Sequence, residues 1–485
     1  MWLAIVGCIA TSSPNEEPPE QTRPVVAPGL EIATERVPNE LALLARVTST
    51  IERTVGFVAR NGDTVLETPA WTVAADRPTE LPILGLFPGD WTITARVDGE
   101  DDGQWSLTTV KPSPFVDSPT NDFVGGWPES EAICAAREQR SPAYTCTNRR
   151  GEPNFFVEMP FQTMFVRPLA DGTLLAHPDG PDQLFHFDRL GREIRTLDFE
   201  DLLPGTRFDH VGIDEHESIE IVEGPWTGAW AVLTYTADDD IEKTGAGIIV
   251  YDPAEREVLW DWSAHGTPGD GVSVDPERLP YDRWGVDEYG EDWLHANALV
   301  HGTDADGDFF WMSLRHQDWI IEIRAPDGAI TMQLGRGGDV TLTDGSDPDW
   351  FYHQHAPELR RRSDREFEVL VFDNGNERPG VEEPRTRIVE YLVDREAKIA
   401  TRLRDFETAY FAAAAGDADR MPSGDHVLVT RAVGDPFVAE LGIAPGVDVE
   451  AERRWVQAIP REGEVYRAEF FPSLYETGWS ATTGW

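Results

Sequence analysis

The sequence predicts an all-β protein in which a small sandwich precedes a β-propeller, and three observations predict it. From about residue 159 a loose unit of roughly 45–55 residues recurs, each with several short apolar strands and a charged hairpin, the period of a propeller blade. Residues 29–112 carry short alternating runs between Gly, Asp and Pro turns, the pattern of half-buried strands. Helix signals are weak throughout, with Glu129–Gln139 the best short candidate.

The first 28 residues read as a leader and tether. Ile5-Val6-Gly7-Cys8 ends a short apolar start and resembles a bacterial lipobox, which marks Cys8 for lipidation. Seven residues precede Cys8 and none is basic, so a full signal would begin upstream. A stretch rich in Pro, Glu, Ser and Thr then runs to Pro28, as expected of a flexible tether. An extracytoplasmic lipoprotein, periplasmic or at the cell surface, follows as the expectation.

Residues 29–112 form the sandwich. Its strand candidates include Thr54-Val55-Gly56-Phe57-Val58 and Trp91-Thr92-Ile93-Thr94-Ala95-Arg96-Val97, and the length suits an immunoglobulin- or fibronectin-like fold. Residues 113–158 read as an irregular connection rich in Pro, Gly and Asn. They hold Cys134 and Cys146, which either close a small disulfide in an oxidising compartment or stay as buried thiols.

The propeller occupies 159–485. Five units stand out, near 159–200, 213–262, 292–334, 351–403 and 409–470, and residues 113–158 pairing with the C-terminus would complete a sixth. Ile248-Ile249-Val250-Tyr251-Asp252, Ile320-Ile321-Glu322-Ile323-Arg324 and Arg387-Ile388-Val389-Glu390-Tyr391 are equivalent strands of successive units. The 17 Trp are most simply core and packing residues of such blades.

The formal net charge is −47, which argues against a nucleic-acid partner because phosphates would be repelled. A solvated acidic surface explains it. The only lysines are Lys111, Lys243 and Lys398.

Chemistry concentrates in four segments: Asp292-Trp293-Leu294-His295-Ala296-Asn297, Ser313-Leu314-Arg315-His316-Gln317-Asp318, Tyr352-His353-Gln354-His355-Ala356 and Phe372-Asp373-Asn374-Gly375-Asn376. Several His and an Arg aimed at one place suit an anion. On extended strands His295 and Asn297 would share a face, as would His353 and His355. A metal on His353, His355 and His295 is a weaker alternative, since no carboxylate spacing supports it. Asp304-Ala305-Asp306-Gly307-Asp308 resembles the front of a calcium loop without its distal Glu. Structural Ca2+ on Asp304, Asp306 and Asp308 and a plain hairpin both explain it.

Taken in order with Thr386-Arg387, Met421–Thr430 and Val465-Tyr466-Arg467-Ala468-Glu469, these segments resemble the bacterial arylsulfotransferase family over roughly residues 205–476. The resemblance implies a six-bladed propeller and transfer of a sulfuryl group from a phenolic sulfate ester to a phenol. It implies a ping-pong reaction through a sulfohistidine, with no nucleotide donor; no required cofactor and no catalytic metal are expected. By the same resemblance His355 is the nucleophile and Arg315, His295 and His216 act beside it. Asn297, His353, Asn374 and Arg387 remain as candidate substrate contacts, although Asp373 and Asn374 also suit a turn. The sequence departs from the family at His355-Ala356-Pro357-Glu358, where members commonly have Asp or Thr and then Ala.

The chemistry suits those roles. A neutral imidazole is a good nucleophile, and an Arg fork can hold the three oxygens over which sulfuryl transfer spreads charge. Two other readings stay open. One is a propeller that only binds a ligand or partner, and the other is a hydrolase that passes the sulfuryl group to water. The natural donor and acceptor and the oligomeric state are not written in the sequence.

Overall fold

The computed structural model describes residues 27–110, 112, 121–123, 132–137, 142–148, 150–180, 182–238, 241–266, 274–275, 278, 286–287, 290–325, 327–343, 345–421, 426–431, 437–442, 453–458, 465–471 and 473–475. Cys8, its leader and most of the tether lie outside them. No helix among the described residues is long and apolar enough to cross a membrane.

The chain forms two compact units whose segments alternate along the sequence. One comprises Met1–Glu35, Leu44–Leu81 and Asp90–Thr108, and the other takes Arg36–Leu43, Pro82–Gly89 and Thr109–Trp485. The first contains a three-stranded sheet (Leu30–Arg36, Leu43–Ser49, Thr79–Ile83) and a five-stranded one (Thr64–Glu67, Arg53–Asn61, Gly89–Val97, Glu100–Thr109, with Trp71–Val73 beside Arg53–Asn61). The strand Gly89–Val97 shows why a sheet forms here. Trp91, Ile93, Ala95 and Val97 are buried while the residues between them are not, the period of two that one covered face requires.

The second unit contains six sheets, each with a four-strand antiparallel core. The first runs Ala468–Phe471, Ala132–Arg137, Ala143–Asn148, Pro153–Glu158, and the second Thr163–Pro168, Leu174–Pro178, Gln183–Phe187, Glu193–Asp198. The third is built on His210–Glu220, Trp230–Asp238, Ile241–Asp252 and Glu257–Ser263, with the short Val286–Asp287 and Gly290–Asp292 at its margin. The fourth runs Ala296–Asp304, Gly307–Leu314, Trp319–Arg324, Ile330–Gly335. The fifth contains His355–Arg361, Glu366–Asp373, Arg387–Asp394 and Ile399–Glu407, with Thr341–Leu342 outside. The sixth holds Asp417–Arg420, His426–Arg431, Phe437–Gly442 and Arg453–Ala458, and Asn121–Phe123 pairs with its last strand.

Apolar clusters join five pairs of neighbouring sheets. They tie the second to the third, the third to the fourth, the fourth to the fifth, the fifth to the sixth, and the sixth back to the first. Each large side chain buried in them contributes about 1.5–3 kcal/mol. The strand Ala468–Phe471 pairs with Ala132–Arg137, so the last described strand joins the sheet that opens the series of six.

This closure corrects two expectations. Within 113–158 the described residues are largely strands rather than an irregular connection. The helix candidate Glu129–Gln139 contains instead the strand Ala132–Arg137, because neighbours on both edges take its backbone hydrogen bonds and outweigh its local helix propensity. Cys134 lies directly opposite Cys146 in that pairing, and the two are joined by a disulfide.

The acidic loop at Asp304–Asp308 is the hairpin between Ala296–Asp304 and Gly307–Leu314. Asp304 pairs with Arg324 and Arg395, Asp308 holds His301 Nε2 at 3.1 Å, and Asp306 faces solvent. All three carboxylates thus meet cations or donors of the protein itself, Asp306 through Arg324 at 3.7 Å.

Candidate active site

The backbone places the site at the entrances of the leading strands. His295 precedes Ala296–Asp304, Arg315 opens a short 3-10 turn after Gly307–Leu314, and His355 begins His355–Arg361. Among the described residues ten non-glycine residues have left-handed φ, and His295, Asp318, His353, Ala356 and Ala415 are five of them. Each such conformation costs an L-residue on the order of 1 kcal/mol, so half of this strain is gathered around one set of side chains. It also corrects the shared-face expectation. His295 and His353 sit at φ 48° and 54°, so alternation along an extended strand does not govern them.

His355 is buried, and its tautomer follows from its neighbours. Asn374 Nδ2 donates to Ala412 O at 2.8 Å and to Ala415 O at 3.0 Å. That fixes the amide, so Asn374 Oδ1 faces His355 Nδ1 at 2.7 Å and can only accept. Nδ1 therefore carries the proton and Nε2 keeps the lone pair. The backbone N–H of Ala415 donates to Nε2 at 3.1 Å. Burial, and then the Arg315 charge, hold this imidazole well below its usual range, so it is neutral at pH 7.

Two further imidazoles are held by carboxylates. Asp292 accepts His295 Nδ1 at 2.7 Å and the His295 backbone N–H at 2.8 Å. Asp214 accepts His216 Nδ1 at 2.5 Å and the His216 backbone N–H at 3.0 Å. The His216 and His295 rings stand 4.8 Å apart. Their charges nevertheless differ. Burial, the neighbouring His216 and Arg315 push His295 well below the usual range. Burial also disfavours charge on His216, but Asp214 and then Glu215 outweigh it and lift the imidazole to about 9. At pH 7 the cluster combines neutral His355 and His295 with a cationic His216.

Arg315 is buried and donates from Nη2 to Ala413 O at 3.1 Å. Its charge acts on His295, His353 and His355 alike. Tyr466 lies between two of the imidazoles, 5.6 Å from His216 and 6.3 Å from His355 by ring centres.

The other candidate residues take structural partners. Asn297 Nδ2 donates to Gln354 O at 2.7 Å, and Gln354 Nε2 donates to Ser313 Oγ and Trp319 O. Together they lock the His355 turn to the preceding sheet. Arg387 binds Asp373, Asp405 and Trp350 O, all at 2.9 Å, which commits its guanidinium inside its own sheet. His353 is buried, its backbone N–H donates to Asp318 Oδ1 at 2.9 Å, and burial lowers its imidazole to about 3. Asn374 orients His355.

Sequence reasoning missed the carboxylates Asp214 and Asp292. Their signal was an acid two or three residues before a His, the spacing that lets one carboxylate take both the ring and the backbone N–H. The Ala415 amide left no signal, because a backbone donor has no residue type.

Beyond the His residues, the leading strands of five sheets, with Arg467 just before Ala468–Phe471 of the sixth, border one small cavity of about 20 Å³. Arg167, Glu217, Ala298–Val300, Ala356–Glu358, Asp417, Asp419 and Arg467 line it. Glu217 bridges the two arginines, accepting from Arg167 Nη2 and Arg467 Nη1 at 2.8 Å each, and Arg167 Nη1 reaches Glu469 at 2.7 Å. Burial lifts Glu358 to about 7, Glu469 to about 7 and Asp417 to about 6.

Fold and site together define an all-β protein with a buried His–Arg centre where its sheets converge. Residues 144–455, more than half of the chain, match the family model described as arylsulfotransferase (ASST), and the chain belongs to that family. No curated protein matches it. Among solved structures it is similar to a protein of unknown function from Bacteroides caccae, at 10% identity and TM-score 0.40, covering 70% of this chain and 98% of that one. It is also similar to the Dos1 propeller, at 10% identity and TM-score 0.32, covering 67% and 71%.

Proposed function

We propose that the six sheets are the blades of a six-bladed propeller and that the protein transfers a sulfuryl group from a phenolic sulfate ester to a phenol through His355. One observation carries this reading: His355 is a buried, neutral imidazole whose Nδ1–H is fixed on Asn374, which leaves the Nε2 lone pair for attack.

The steps follow from the charges. Nε2 attacks sulfur as the ester O–S bond breaks, and the new N–S bond makes a sulfohistidine. The leaving phenolate takes a proton from the His216 imidazolium, directly or by way of His295. Arg315 balances the sulfuryl oxygens. The Ala415 N–H caps the lone pair at rest, so attack requires it to yield, and the freed N–H becomes a donor for a sulfuryl oxygen. In the second half a phenol gives its proton back to His216, its oxygen bonds to sulfur, and the N–S bond breaks.

The disulfide between Cys134 and Cys146 supports an oxidising, extracytoplasmic location, with lipid on Cys8 as the proposed anchor. Incubation with a chromogenic aryl sulfate tests the reaction. Release of the aryl alcohol should depend on added phenol and vanish in His355→Ala. Release that needs no phenol would favour a hydrolase. No release by folded protein, over a range of donors and acceptors, would leave a binding protein.

A further inference from the structure

We propose that Asp292, His295 and His316 form a binding site for a borderline transition-metal ion such as Zn2+. One ligand atom from each lies within 4.8 Å of the others. The decisive observation concerns His316, a residue with no part in the sulfuryl-transfer scheme. Its Nδ1–H donates to the Asp292 carbonyl at 2.9 Å, which leaves the lone pair on Nε2. That Nε2 is buried and has no hydrogen-bond partner among the described residues, on a side chain within a residue only 2% exposed. An imidazole whose Nδ1–H is fixed on a backbone carbonyl is supported in the way metal-ligating imidazoles commonly are.

The His295 ring stacks on His316 at 4.7 Å, and the Asp292 carboxylate already meets His295 Nδ1 at 2.7 Å. The His295 and Asp292 side chains keep 22% and 14% of their exposure, so the site can be reached from solvent. Two imidazoles and one carboxylate suit Zn2+ and leave a fourth position open, whereas Ca2+ and Mg2+ favour oxygen donors throughout. Relaxation by about an ångström would bring such atoms to the ligand separations that a tetrahedral ion needs.

The consequence rests on the sulfuryl-transfer reading of this same centre. An ion that takes His295 withdraws it from the sulfate ester, so metal and donor exclude each other and the ion acts as an inhibitor.

The test is titration of the metal-free full chain with Co2+, read by its visible ligand-field bands, and with Zn2+, read by calorimetry. The expected result is one ion per chain, with affinity reduced about tenfold or more in His316→Gln. The variant His301→Gln, at a separate His–Asp pair, should bind as the wild type does. Asp292→Asn serves as the second variant if His316→Gln does not fold. No stoichiometric binding, or binding unchanged in folded His316→Gln, overturns the site. Zn2+ should also suppress aryl sulfate turnover in the wild type more than in His316→Gln, each against its own metal-free rate. Binding that His316→Gln abolishes, with no turnover by any form, would uphold the site and sink the sulfuryl-transfer reading. Turnover indifferent to bound Zn2+ would uphold the site and overturn the exclusion.

Discussion

Two sets of buried polar groups lie on leading strands of different sheets, and they solve the problem of burial in opposite ways. At the strand entrances His355 and His295 are stripped of charge, because burial and Arg315 both penalise the imidazolium. Elsewhere on the leading strands, Glu217, Glu469, Arg167 and Arg467 keep ion pairs of 2.7–2.8 Å. Pairing there holds three sheets together, since Arg167 and Glu217 come from the second and third sheets and Arg467 and Glu469 from Ala468–Phe471 and its flank. Leaving an imidazole neutral holds nothing together, but it leaves a lone pair. The polar ring near the cavity is therefore read as structural and the His cluster as chemical.

The largest expected effect tests the structural half. Arg467→Leu leaves Glu217 with Arg167 as its one arginine and removes the bond to the Asn297 carbonyl, so stability should fall by about 3 kcal/mol in denaturant unfolding. A loss below about 1 kcal/mol would show that the ring is not what joins the sheets.

Arg315→Gln should leave the fold in place and lower kcat by roughly a hundred- to a thousandfold, the usual effect of removing a charge-stabilising donor. A change confined to KM would mean that Arg315 only captures the anion. Asn374→Ala should cost about tenfold in kcat/KM, near the worth of one buried hydrogen bond. Its loss frees the His355 tautomer, so an unchanged rate would contradict the argument that Asn374 sets it.

The smallest effect is in pH. His216 is raised to about 9, so it is a charged acid below that value and loses its proton above it. His355 is lowered, so it stays an unprotonated nucleophile down to pH values below its ordinary range. The kcat/KM profile should be level near neutrality and fall through about pH 9. A base limb near the ordinary imidazole range would show that Asp214 does not hold the His216 proton.

Much of this was legible in the sequence, and the residues show why. The repeat of strands and the pairing of residues near 132–158 with the C-terminus are matters of apolar periodicity, which the chain displays openly. His216, His295, Arg315 and His355 come together as the motifs suggest. The division of labour around them was hidden. Asn297 and Arg387 carry the same side chains whether they meet a substrate or a carbonyl, and only the fold shows that they meet Gln354 O and Trp350 O. The left-handed turns at His295, His353 and Ala415 were hidden too, because Ala does not favour a positive φ and His, though enriched there, adopts it in only a small minority of positions.

The most direct test of the central claim is to mix the protein with an aryl sulfate in the absence of any phenol, quench, and map the modified peptide by mass spectrometry. The account predicts one sulfuryl group per chain on His355, stable until a phenol is added and absent in His355→Ala. A sulfuryl group on another residue, or aryl alcohol released while His355 stays unmodified throughout turnover, would contradict it.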